Sequence, residues 1–142
     1  MDTYSMGYSG SSYMDVPMNQ KIFMAQYECI KKLAEQESCI IVGRCADYAL
    51  KDMPGLVSVF ISADMDFKIK RVIEMYGCDE VKAKDIINKT NKKRASYYNF
   101  YSNKKWADSR SYNLCINSSV VGIENAADLI IQFMNLKLNK KD

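Results

Sequence analysis

The chain contains no histidine. That absence removes imidazole as general base, as partner of a nucleophile and as metal ligand, roles it fills in many enzymes. No apolar run approaches the roughly 20 residues that a membrane span needs. The N-terminus has no basic start followed by an apolar core, so no secretion signal is expected. Cysteines are few and scattered: Cys29, Cys39, Cys45, Cys78 and Cys115 are odd in number, never stand as C-x-x-C, and sit mostly in apolar runs. This spacing argues against disulfides and zinc and fits reduced core cysteines in a cytoplasmic protein. Also missing is a glycine-rich loop ending in Gly-Lys-Ser or Gly-Lys-Thr, the motif whose backbone amides cradle phosphates. Ser9-Gly10-Ser11-Ser12 is rich in small residues, but it follows no apolar strand and carries no lysine. Asp64 and Asp66 are the nearest approach to an acidic pair. Starting a helix suits them better than holding Mg²⁺, so no protein-held metal is expected.

What is present is a chain of 142 residues, 48% hydrophobic and 26% charged, enough for one soluble domain with a real core. Its charge is uneven. Between Lys82 and Lys105 stand eight Lys or Arg residues against a single acid, Asp85, although the whole chain nets only +3. The rest is therefore net acidic, and the asymmetry points to a local anionic partner. Because the positive charge is confined to one segment, nucleic acid is not the expected partner, although basic and aromatic residues together can track a single strand. Tyr97, Tyr98, Phe100, Tyr101 and Trp106 lie in or beside this segment. Tyr97 and Tyr101 are one helical turn apart, a spacing that suits mutual packing.

Residues 1–18, with Ser, Gly, Tyr, Met and Pro17, show no period and read as a flexible arm. A helix follows from about Asn19, its possible N-cap, with Phe23, Tyr27, Ile30 and Ala34 on one face. Cys39–Val42 reads as a buried strand that stops at Gly43, and Cys45–Leu50 as a short helical turn. Asp52-Met53-Pro54-Gly55 is a turn signal. Leu56–Ile61 reads as a second strand, closed by Ser62-Ala63-Asp64. Asp64 can cap a helix whose buried stripe is Ile69, Val72, Ile73 and Tyr76, and which ends at Gly77. Asp79 starts another helix, with a poor apolar face (Val81, Ile86, Ile87), as expected of a mobile element. Asn113–Asn117 is a third strand, Ser118, Ser119 and Gly122 make a turn, and a last helix runs from Ile123 with Ile123, Ala127, Ile130 and Met134 on one face. Residues 137–142 form a solvated tail. Such alternation predicts an α/β fold, a parallel sheet with helices on both faces.

A strand that ends at Gly43-Arg44, with Asp47 three residues on, delivers charge to the carboxyl edge of a sheet, where open α/β sheets bind ligands. Arg44 there suits a phosphate or carboxylate; an Arg–Asp pair can also be a structural bridge.

Three stretches line up in order: Val-Gly-Arg-Cys-Ala-Asp-Tyr (residues 42–48), Lys-Lys-Arg-Ala-Ser-Tyr-Tyr (92–98) and Cys-Ile-Asn-Ser-Ser (115–119). Together they resemble the cytidylate kinase-like family of P-loop nucleoside monophosphate kinases, over essentially Asn19 to Met134. The resemblance implies a P-loop kinase-like three-layer sandwich over residues 19–136, with a lid at about 78–110, apparently lacking the family's N-terminal P-loop segment. It implies phosphoryl transfer from ATP, with Mg²⁺, to CMP or dCMP once a P-loop is supplied; the alternative is a non-catalytic nucleotide- or phosphate-binding or partner module. Carried over position by position, Arg71 and Arg94 become catalytic residues. Arg44, Asp47 and Asn91 bind the acceptor side, and Arg71 and Lys92 face ATP. Asn91 departs from the family pattern, which generally has aspartate three residues before the lid arginine; asparagine keeps an acceptor and loses the charge. The expected partners are small-molecule nucleotides and no membrane. A missing sheet half would also leave an edge open to self-association.

Overall fold

The structure, a computed structural model, describes the backbone of residues 3–141 and the side chains of residues 18–141. It divides into two compact units, Met1–Asp52 and Met53–Asp142.

In the first unit, helix α1 spans Thr3–Gln36. The helix thus begins well before Asn19, which is interior to it and not its cap. Residues 3–18 have no apolar period, so nothing in their pattern signals helix. The side chains of Ser9–Ser12 lie outside the described residues. The expected stripe is borne out: Ile30 is buried and Phe23, Tyr27 and Ala34 are half-buried. Against it packs α2 (Ala46–Ala49), whose Tyr48 ring lies 6.2 Å from that of Tyr27. Cys45, Ala46, Ala49 and Leu50 are buried, as is Ile30. Cys39–Val42, in contrast, forms no strand. Ile40 is 96% exposed and Val42 88%, because no neighbouring strand among the described residues takes up their backbone groups. The expected buried strand is therefore absent: an apolar β-branched run forms a strand only where a neighbour pairs with it.

The second unit holds a two-stranded parallel sheet, β1 (Val59–Ser62) and β2 (Leu114–Asn117), in the register Val59↔Leu114 through Ser62↔Asn117. Between them run α3 (Met65–Tyr76), α4 (Glu80–Ser102) and a 3₁₀ turn at Ser109–Ser111. After β2 come α5 (Ser118–Val121) and α6 (Ile123–Leu138). The whole is a mixed α/β chain that is mostly helical, with fewer strands than its sequence led one to expect.

Two clusters hold this unit. Ile69 of α3 packs with Ala83 and Ile87 of α4, ringed by Met65, Val72, Ile73 and Cys78. Tyr76 stands outside that stripe, 63% exposed, and Val81 is exposed as well. On one face of the sheet Phe60 meets Trp106 edge-on at 5.2 Å and Tyr112 at 5.0 Å, and Tyr112 stacks on Tyr98 at 5.7 Å. On the other face α6 buries Ile116 with Ala126, while Ile130 and Phe133 are half-buried. The face expected from Ile123, Ala127 and Met134 is instead turned outward.

Several local signals hold as read. Gly77 closes α3 at φ +64°, its N–H bonded to the Ile73 carbonyl at 2.8 Å. Asp79 caps α4 by accepting from the Lys82 N–H at 2.7 Å. Tyr97 and Tyr101 pack at 4.8 Å. The cysteines depart from expectation: all five are free, but only Cys45 is buried, with Cys78 half-buried and Cys29, Cys39 and Cys115 exposed. Among the described residues no helix is long and apolar enough to cross a membrane.

Candidate functional site

Parallel strands bring their carboxyl ends to one edge, and here two polar segments meet there. The Asn117 side-chain amide donates to Asp64 Oδ1 at 2.9 Å, and Ser119 Oγ accepts from the Asp64 N–H at 2.9 Å. The Ser119 N–H donates to Asn117 Oδ1 at 3.1 Å. Ser118 Oγ donates to the Ser62 carbonyl at 3.0 Å. These bonds tie the start of α3 to the turn that leads into α6. They hold the Asp64 carboxyl below its ordinary range, first through Asn117 and then through Ser119. Asp64 does occupy the N-cap position of α3, but its side chain makes no capping bond; Asn117 takes it instead.

Beyond this clasp lies an open pocket of about 570 Å³, bounded by Phe67, Lys70, Arg71 and Glu74 of α3 and by Gly122–Asn125 at the start of α6. Its size is that of small-molecule sites. Gly122 takes φ +84°, and no side chain caps α6. The first hydrogen bond of the helix is that of Ala126 N–H to the Gly122 carbonyl. The amides of the first turn therefore point out of the helix toward this region, and a helix start favours anions. Facing them, the Arg71 guanidinium lies over the Phe67 ring at 5.8 Å. The ion pairs among the described residues are Lys89–Asp85 and Arg110–Asp108, so Lys70 and Arg71 remain available to a ligand. Glu74 and Glu124 line the same pocket and set carboxylates beside its two cations.

The residues singled out from sequence fall in three places. Arg71 lines the pocket. Asn91, Lys92 and Arg94 lie on α4 and are not part of its wall. Arg94 falls on the side of α4 that carries Ala83, Ile87 and Tyr98, at 100° per residue, yet it is exposed. It thus projects from the inward side of the helix without being covered. Arg44 and Asp47 belong to the other compact unit. Arg44 is exposed, pairs with no acid among the described residues, and sits in a run of three left-handed residues, Gly43 (φ +71°), Arg44 (+57°) and Cys45 (+54°). Such conformations cost an ordinary side chain energy and collect at ligand-handling turns. Asp47 lies in the first turn of α2, where Cys45 and not Asp47 is the cap residue.

Sequence reading missed Phe67, Lys70, Asn125 and the Asp64–Asn117–Ser119 clasp. The clasp had a visible signal, a polar residue directly after each of two apolar strands. The pocket wall had none, since it depends on how α3 meets α6.

A sequence profile of the cytidylate kinase-like family matches residues 1–120. No curated protein matches the chain. Among solved structures it is similar to an uncharacterized protein from Eubacterium ventriosum ATCC 27560, with 44% sequence identity and a TM-score of 0.79 over 82% of this chain. The match spans 66% of that protein's chain, just under two thirds of its length. The profile covers most of the chain, including the Gly-Arg turn, the basic helix and the Asn-Ser-Ser turn, so the chain belongs to the cytidylate kinase-like family.

Proposed function

We propose that the chain handles ATP and a pyrimidine nucleoside monophosphate, CMP or dCMP, as part of a P-loop kinase-like three-layer fold. The observation that carries this reading is the pocket where Lys70 and Arg71 face the uncapped start of α6. Arg71 and Lys70 would draw the phosphates, and Phe67 offers a ring face to the base. Arg94, uncovered on the inward side of α4, would come onto the transferring group with Lys92 beside it; Asn91 would orient the arginine or a ribose. Arg44 and Asp47 would serve the acceptor. Such groups suit phosphoryl transfer, in which catalysis is mostly positioning and countercharge. Among the described residues no three Cys, Asp or Glu side chains gather to hold a metal ion. Mg²⁺ would thus have to arrive with the nucleotide's phosphates.

Residues 1–142 hold no phosphate-cradling Gly-Lys-Ser/Thr loop, and this favours a second reading, a nucleotide-binding module without turnover. One experiment separates them. ATP should raise the melting temperature of the chain, and Arg71→Ala should remove most of that rise while leaving the nucleotide-free melting temperature in place. ADP release in the presence of CMP would establish the kinase reading for this chain alone; stabilisation without release would favour the module. No shift with ATP, CMP or dCMP would overturn both.

A further inference from the structure

The pocket between α3 and α6 has walls that pack on different neighbours. Helix α3 buries Ile69 against Ala83 and Ile87 of α4. Helix α6 lies along β2, with Leu129, Phe133 and Leu136 bordering that strand. Neither cluster spans the gap between Arg71 on one wall and Gly122–Asn125 on the other. What joins the starts of the two walls is the Asp64–Asn117–Ser119 clasp. Asp64 stands three residues before Phe67, and Ser119 three before Gly122. Each wall therefore begins about one turn from the same clasp. The Gly122 N–H, bonded to the Ser118 carbonyl at 2.9 Å, closes the turn on the α6 side.

The clasp is a closed circuit in which the donors fix one another. The Asp64 N–H can only donate, and Ser119 Oγ accepts it at 2.9 Å. The Ser119 hydroxyl proton then goes on to Asn117 Oδ1. The Ser119 N–H, also an obligate donor, reaches the same oxygen at 3.1 Å. That atom is thus the amide carbonyl, which turns the Asn117 NH₂ to Asp64 Oδ1 at 2.9 Å. Asp64 accepts, and these bonds favour its ionised form. The circuit links residues 53 and 55 positions apart in the chain.

We propose that Asp64, Asn117 and Ser119 are positioning residues that set the gap between Arg71 and the start of α6, so that a nucleotide's phosphates meet both at once. This role rests on the reading of that pocket as a nucleotide site, and it names the groups that keep the site in its binding form. With the circuit broken, α3 and α6 sample a range of separations. Affinity then falls in proportion to the fraction of chains that keep the gap, so a clasped fraction of about one in ten weakens ATP about tenfold.

The test compares variants of the full chain by amide exchange without nucleotide and by ATP affinity. Asn117→Asp removes the donor and sets a second carboxylate against Asp64. Exchange of the Asp64 N–H should quicken and the ATP Kd should rise, each at least about tenfold. Ser119→Ala, which leaves the Asp64 N–H without its acceptor, is a milder break and should weaken ATP in the same direction. The exchanged pair, Asp64→Asn with Asn117→Asp, again sets a donor opposite an acceptor and leaves Ser119 its acceptor oxygen. It should recover most of both losses. Asp79→Ala uncaps α4 away from the pocket and should leave ATP affinity unchanged, which separates lost stability from lost positioning. Unaltered exchange in Asn117→Asp, no recovery in the exchanged pair, or equal weakening by Asp79→Ala would each overturn the inference. Wild-type ATP affinity in either broken circuit, with binding abolished by Arg71→Ala, would overturn it and leave the pocket reading intact. ATP binding that is absent from the wild type, or indifferent to Arg71→Ala, would overturn the pocket reading and the inference with it.

Discussion

At the scale of single residues, backbone conformation and burial decide more than residue type does. Gly77 sits at φ +64° with nothing within 4 Å of where a Cβ would stand. Gly77→Ala should therefore cost about 1 kcal/mol from backbone strain alone, read as a lowered denaturant midpoint with an unchanged slope. Cys45 makes a pH prediction. Burial first, and the Asp47 charge second, push its thiol from 9.0 up to about 11. The folded state thus holds the proton more tightly than the unfolded state. The stability this contributes is complete below pH 9 and is lost as pH rises toward 11. Unfolding midpoints across that window should fall in the wild type and fall less in Cys45→Ala. Gly77 and Asp79 could be read from sequence because their roles are set by neighbours in the chain. Asp64 could not, because Asn117, 53 positions away, competes for its carboxylate.

At the scale of elements, the capped helices were legible and their faces only partly so. The last helix was read with Ala127 and Met134 inward, while Ala126 is buried and Phe133 half-buried. One residue is 100° of rotation, and a helix that is apolar on several sides leaves that angle to tertiary contacts. The expected strand at Cys39–Val42 is absent for a related reason: β-branched content suits a strand, but no strand among the described residues pairs with it. Two substitutions test the α3–α4 pair. Ile87→Ala should cost about 2–4 kcal/mol by opening a cavity beside Ile69. Asp79→Ala should cost about 1 kcal/mol by freeing the Lys82 N–H. Thermal melts followed by circular dichroism measure both, and similar losses in the two would contradict the burial-based ranking.

At the scale of the whole molecule, the family was legible because three short motifs keep their order. The pocket was not, because it arises where α3 and α6 meet. The two compact units adjoin at Asp52-Met53, in an exposed turn with Pro54 and Gly55. Brief trypsin treatment should cut after the exposed Lys51 and release a fragment that contains both strands; mass spectrometry of the early products checks this. The parallel pairing of Val59 with Leu114 also bears on how the protein is made. During synthesis at about 5–20 residues per second, β1 leaves the ribosome roughly 3–11 s before its partner. Throughout that interval the nascent chain carries an apolar strand with neither edge paired, followed by a lengthening positively charged helix, and an unpaired strand edge of this kind is prone to aggregate until its partner emerges.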